Sequence, residues 1–280
     1  MHGRSNRILS ALLLVALLFS AFPTLTSCKK TQSLPSISID VLKIGKADCI
    51  VINTGDGLVM IDTGELENLA SIHNYMQTNQ YTKIDTLILT HYDKDHIGCA
   101  DAIISGYGVA TVIEPHVTDV TAEYVTYHNT ISALGVSLEK PRSPYTFTLS
   151  DCTFTVDVPQ KSQYKNKHDN NISLIVSMHY GDKSFLFCGD AMETRLKEWI
   201  NGAYGRFDFV KLPYHGNALD NYDDFLDACK PSYAAITCSK KNPPDQGLLA
   251  LLDEYDTSVY LTTDGTVRVT CDGSSISISQ

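Results

Sequence analysis

Thr90-His91-Tyr92-Asp93-Lys94-Asp95-His96-Ile97-Gly98 places two histidines and two aspartates within six residues. The apolar run Thr86-Leu87-Ile88-Leu89-Thr90 before it reads as a buried strand, and Gly98 to Ile104 as the start of a helix. A loop at the end of a core strand is where α/β folds keep their chemistry. Imidazole and carboxylate both bind first-row metals near neutral pH. Alternation at His91, Asp93 and Asp95 lets one turn aim several side chains to one side. The adjacent Asp95-His96 adds a ligand in another direction, which suits two neighbouring ions. A solvated loop with scattered charge is the plainer reading; four ligand-type side chains directly after an apolar strand weigh against it.

Two later segments have the same form. Ser184-Phe185-Leu186-Phe187-Cys188 ends at Gly189-Asp190, and Phe207 to Leu212 ends at Pro213-Tyr214-His215-Gly216-Asn217. Three strand ends converging on one edge predict a single polar cluster from His91, Asp190 and His215. Around them, alternating or apolar strand segments interleave with helices over Glu65 to Gln80, Thr121 to Leu134, Ala191 to Ile200, Tyr222 to Cys229 and Gly247 to Tyr255. Hairpins are expected at Thr54 to Gly57 and Ser150-Asp151, and a strand at Ile172 to Met178 following Asn170-Asn171. The fold class is α/β: two sheets between helix layers, an αββα sandwich. His73, His116 and His128 belong to no motif. The polar stretch Pro159 to Asp169 reads as a rim over the site or as a plain surface loop.

The N-terminus is of another kind. Arg4 and Arg7 precede an apolar run from Ile8 to Phe22, shorter than the roughly 20 residues of a membrane span, and so read as a signal peptide. Leu25-Thr26-Ser27-Cys28 resembles a bacterial lipobox. The expected organisation is a signal peptide over 1–27, a tether over 28–35 and one catalytic-size domain over 36–280. The mature protein is then lipid-anchored through Cys28 outside the cytoplasmic membrane. A net charge of −10 without a basic run argues against strong non-specific nucleic-acid binding. Seven further cysteines form no Cys-x-x-Cys pair, which argues against a zinc ribbon. No protein partner is indicated.

Taken together, these residues make the chain resemble the metallo-β-lactamase-fold hydrolases over Ser36 to Gln280. The family pattern His-x-His-x-Asp-His, a later Gly-Asp and a final His-Gly corresponds to His91-Tyr92-Asp93-Lys94-Asp95-His96, Gly189-Asp190 and His215-Gly216. Ile61-Asp62-Thr63-Gly64 matches the structural turn that precedes the metal loop. The chain is most similar to the subgroup typified by the extracytoplasmic hydrolase domain of ComEC-type competence proteins. That subgroup also has Asp at the position of Asp93, an Asn-Asn-x-Ser-Leu-Val strand (here Asn170 to Ile175) and a Pro-His-His-Gly-Ser turn (here Pro213 to Asn217). Its opening Val-Gly-Gln-Gly-Asp appears as Ile44-Gly45-Lys46-Ala47-Asp48. Tyr214, Asn217 and Lys46-Ala47 depart from the pattern, and the long membrane channel of ComEC has no counterpart.

The resemblance implies the four-layer metallo-β-lactamase-like fold and two divalent metal ions, Zn or Mn. His91 and Asp93 would hold one ion; Asp95, His96 and His215 the other; Asp190 would bridge them. A third histidine for the first ion is not evident, although His168, Asn170 and Asn171 lie in the corresponding region. The carboxylate of Asp93 makes the first site harder, favouring Mn²⁺, Mg²⁺ or Fe relative to a histidine-rich zinc site. The implied activity is metal-dependent hydrolysis of a phosphodiester-type bond, in a small molecule, a nucleic acid or a cell-wall polymer. Asp95 would orient or deprotonate the attacking water, and Tyr214 or His168 would contact the developing oxyanion. The alternatives are a hydrolase of another ester or lactam, and a non-catalytic surface lipoprotein that binds metal or ligand.

Overall fold

The structure, a computed structural model, describes residues 34–164, 169–202 and 205–280. The expected signal peptide, Cys28 and most of the tether lie outside the described residues, as does His168. Among the described residues no helix is long and apolar enough to cross a membrane.

In chain order the strands are β1 (Ile37–Val41), β2 (Ile50–Asn53), β3 (Leu58–Ile61), β4 (Thr86–Ile88), β5 (Thr111–Ile113), β6 (Ser137–Glu139), β7 (Tyr145–Leu149), β8 (Cys152–Asp157), β9 (Ile175–Tyr180), β10 (Lys183–Phe187), β11 (Phe209–Lys211), β12 (Tyr233–Ile236), β13 (Ser258–Leu261), β14 (Val267–Cys271) and β15 (Ile276–Ser279). They form two sheets, ordered β15-β14-β1-β2-β3-β4-β5-β6 and β13-β12-β11-β10-β9-β8-β7. The helices are α1 (Leu69–Thr78), α2 (Lys94–Ile97), α3 (Ala100–Gly106), α4 (Ala122–Leu134), α5 (Glu193–Ile200), α6 (Tyr222–Cys229) and α7 (Gln246–Glu254).

Strand alternation explains the four layers. Ile50, Ile52, Val59, Ile61, Ile88 and Ile113 face Val176, Met178, Phe185, Phe187 and Phe209 in the layer between the sheets. The intervening Val51, Met60, Leu87 and Val112 pack outward with Ile72, Met76, Ile103 and Ile131 of α1, α3 and α4. On the second sheet Leu186, Val210, Ala234 and Ile236 pack outward with Leu196, Trp199, Phe225 and Leu252 of α5, α6 and α7. Strands covered on both faces read as continuous apolar runs, as these do.

β3, β4, β5 and β6 run parallel in one sheet, and β10, β11, β12 and β13 in the other. Their C-terminal ends deliver Asp62, His91, Asp190, His215 and Thr237 to one edge of the sandwich. One expected boundary moves. The strand anticipated from Ile172 begins at Ile175, because Asp169–Ile172 forms a 3₁₀ turn. That turn lets the Asn170 amide donate to Asp190 Oδ2 at 3.4 Å. The seven cysteines are buried thiols with no disulfide among the described residues.

Candidate metal centre

The loop after β4 turns at once into the four-residue helix α2, with extended Asp93 just before it. One helical turn sets Asp95 and His96 on the inner side. Gly98 follows because there is no room for a side chain. A Cβ there would lie 2.5 Å from Lys94 O and 2.8 Å from Gly64 O. On the other sheet, Gly189 carries φ +51°, and its missing Cβ would lie 2.9 Å from Thr90. The two sheet edges thus meet at this point, with Asp190 next to the histidines.

His91, His96 and His215 are fully or almost fully buried. Each has its Nδ1 engaged. His96 Nδ1–H donates to Asp62 Oδ2 at 2.7 Å, and a carboxylate can only accept. The Thr237 hydroxyl donates to Asp48 Oδ1 at 2.6 Å, so it accepts from His215 Nδ1–H at 3.0 Å. By the same logic the Thr90 hydroxyl donates to Asp62 Oδ2 at 2.7 Å and accepts from His91 Nδ1–H at 3.1 Å. This fixes all three rings with Nε2 facing inward. Those Nε2 atoms, with Asp190 Oδ1, are buried and have no hydrogen-bond partner. Buried polar atoms are rarely left so, and here four are left so together.

His96 Nε2 lies 3.3 Å from Asp190 Oδ1, and His215 Nε2 lies 3.1 Å from Asp190 Oδ2 and 3.5 Å from Asp95 Oδ2. Ligand atoms of His91, His96 and Asp190 lie within 4.8 Å of one another, and so do those of Asp95, His96 and His215. Inward Nε2 lone pairs, carboxylates between them and outward Nδ1–H bonds to acidic or hydroxyl partners are what a transition-metal site requires. The residues therefore fit divalent metal ions.

Asp93 sits at the margin. Its side chain is 41% exposed, with Oδ2 3.8 Å from His91 Nε2, and it joins neither three-residue group. Tyr214 is half-buried against the outer cluster of the second sheet. It and His215 adopt left-handed backbone conformations, φ 50° and 52°, which cost about 1–2 kcal/mol per non-glycine residue. Gly216 continues the turn at φ 70°. The strain aims His215 back into the site.

Electrostatics follow from the crowding. Burial alone would raise Asp190 and Asp95, but the neighbouring His215 and His96 hold both well below the usual carboxylate range. Burial alone would lower His96 and His215; Asp190, together with Asp62 at His96 and Asp95 at His215, raises both above the ordinary histidine value. Beneath the site a further ion pair escapes a reading of the sequence. Fully buried Lys211 donates to Asp48 Oδ2 and, at 3.3 Å, to Gly189 O. Asp48 therefore supports the Gly189 turn through Lys211 and His215 through Thr237. The one available signal is a lysine inside the apolar run Phe209-Val210-Lys211-Leu212. His128 proves to be a structural partner of buried Glu114, which also accepts from Tyr127 and pairs with Lys140.

With this geometry in hand, comparison with known proteins is decisive. The profile of the metallo-beta-lactamase superfamily matches residues 43–236. The chain belongs to that superfamily. As a metallo-beta-lactamase superfamily protein it is 26% identical over 255 residues to ComE operon protein 3 of Bacillus subtilis (strain 168), covering 82% of this chain and 32% of that protein. It is 25% identical over 259 residues to Recombination protein 2 of Haemophilus influenzae, covering 86% of this chain and 29% of that one. The chain thus spans about a third of the length of the curated relatives it matches. Its fold is shared with the metallo-beta-lactamase fold protein YhfI of Bacillus subtilis, at TM-score 0.54 and 11% identity, covering 89% of this chain and all of that one. The ComEC-like resemblance and the αββα fold expected from the sequence are both found.

Proposed function

We propose that this metallo-beta-lactamase superfamily chain is a hydrolase of phosphodiester-type bonds that works with two divalent ions. In this reading His91 and Asp93 hold one ion, Asp95, His96 and His215 hold the second, and Asp190 lies between them. The observation that carries it is the inward convergence of three buried Nε2 atoms and Asp190 Oδ1, none of which has a hydrogen-bond partner. Bound ions at such a site supply Lewis-acid activation of water and of the phosphoryl oxygen.

The protein's own residues do the rest. Asp62, Thr90 and Thr237 lock the three imidazoles in one tautomer, so the site is set before substrate arrives. Asp95, 3.5 Å from His215 Nε2 and 14% exposed, is placed to take the proton of the attacking water at the open side. Tyr214, on the strained turn beside His215, would contact the developing oxyanion. Asp93 supplies oxygen where a third imidazole would favour zinc, which points to Mn²⁺ as readily as Zn²⁺. The N-terminal lipobox-like sequence supports action outside the membrane, with Cys28 as anchor. The overall acidity favours small or wall-attached substrates over long DNA.

Turnover of bis-p-nitrophenyl phosphate by metal-stripped protein, before and after addition of Mn²⁺ or Zn²⁺, tests this reading. Activity is expected only after addition. Full metal loading without turnover of this or any other model ester would instead favour a binding protein.

A further inference from the structure

Lys46 stands at the open side of the metal centre, in the loop joining β1 to β2. That loop is held firmly on both flanks. Asp48 N–H donates to Asp95 O at 3.1 Å, Gly64 N–H to Asp48 O at 2.8 Å, and the Asn68 amide to Ile44 O at 3.0 Å. Ile44 and Ala47 are buried, and Gly45 takes φ +83°, so the turn presents Lys46 in a fixed place. Its Nζ lies 3.3 Å from Asp95 Oδ2, while its side chain stays 35% exposed.

This lysine differs in kind from Lys211. Lys211 is fully buried and neutralised by Asp48, itself buried beneath the site. Lys46 is paired to a carboxylate that is itself 3.5 Å from His215 Nε2 and belongs to a metal-ligand group. With Asp95 holding an ion, the ammonium would face both solvent and a dense positive charge. That arrangement is unfavourable unless an anion comes between them. A phosphate ester would meet both charges: one non-bridging oxygen would face the ions, and another would accept a charge-assisted hydrogen bond from the ammonium.

We propose that Lys46 recognises the anionic oxygen of the substrate and restricts the site to esters that carry one. This rests on the hydrolase reading above and adds the group that selects the substrate.

The test compares wild type, Lys46→Gln and Lys46→Arg, each reconstituted with Mn²⁺. Three quantities are read: bound metal per chain, calorimetric affinity for inorganic phosphate, and kcat and KM for bis-p-nitrophenyl phosphate against neutral p-nitrophenyl acetate. Lys46→Gln should keep its metal, weaken phosphate by roughly 10- to 100-fold, as loss of a charged hydrogen bond implies, and raise KM for the diester by a similar factor. Lys46→Arg should recover most of both. Unchanged phosphate affinity and KM in Lys46→Gln would overturn the proposal. So would loss of metal in that variant, since Lys46 would then serve only to hold Asp95. If wild type binds phosphate through Lys46 yet turns over no diester, the hydrolase reading falls and the anion site stands.

Discussion

Replacing Lys211 by methionine is the sharpest probe of how the site is supported. The side chain is fully buried, and its Nζ contacts Asp48 Oδ2 and Gly189 O. Methionine fills a similar volume but leaves the Asp48 carboxylate buried beside only the Thr237 hydroxyl and the His215 and His96 rings. Breaking one side of a buried ion pair costs about 3–5 kcal/mol when the surviving charge is uncompensated, and the lower end applies here because His96 and His215 also hold the Asp48 charge. For a domain of this size each kcal/mol lowers Tm by about 2–4 °C, so a fall of roughly 6–12 °C is expected. Adding Asp48→Asn should recover most of that loss: the amide oxygen still accepts from Thr237, and no charge remains to be buried. The assay is thermal and urea unfolding of chelator-treated protein, which removes stabilisation by bound metal. A loss below about 1 kcal/mol for Lys211→Met, or a double variant less stable than the single one, would refute the reasoning.

Three further outcomes are expected. Asp190→Ala and His215→Ala should each lose bound metal, measured by elemental analysis, together with turnover; unchanged stoichiometry in either would contradict the ligand assignment. Metal affinity should fall as pH drops, because the raised His96 and His215 hold protons that metal must displace. In the metal-free protein the sign reverses: the same imidazolium–carboxylate contacts stabilise the fold fully below the unfolded histidine value of about 6.5, and that contribution is lost as pH rises through the raised folded values. Metal titrations and metal-free unfolding across pH 5–9 would separate the two trends, and a pH-independent affinity would contradict the first. Gly98→Ala should destabilise by about 1–3 kcal/mol through overpacking, since the new Cβ meets backbone at 2.5 and 2.8 Å; near-neutral unfolding data would mean that the α2–Gly64 contact yields easily.

Much of this arrangement is visible in the sequence because strand ends and chemistry coincide. Apolar runs covered on both faces mark β4, β10 and β11, and His91, Asp190 and His215 follow each within a few residues. The supports are less visible because they are distant in sequence. Asp48 and Lys211 are 163 positions apart, and neither has a neighbour that announces the pairing. The left-handed turn at Tyr214 and His215 is hidden for a different reason. Proline and glycine mark a turn, but local sterics disfavour that backbone for both residues, and only the tertiary packing around His215 overrides them. By spacing Asp93 equals its neighbours, yet its extended backbone just before α2 leaves it the most exposed of the six.

The six candidate ligands are contributed unevenly: His91, Asp93, Asp95 and His96 follow a strand of one sheet, Asp190 and His215 follow strands of the other. Ions held between them would rivet two layers that are otherwise joined by apolar packing and by the bonds of Asp48 to Lys211 and Thr237. Metal affinity then becomes a gauge of alignment. A substitution deep between the sheets, at Phe187 or Ile88 for example, can leave the fold intact and still spread the rivet holes by a fraction of an ångström. Such a variant would betray itself as a leaky metal site even where it still folds.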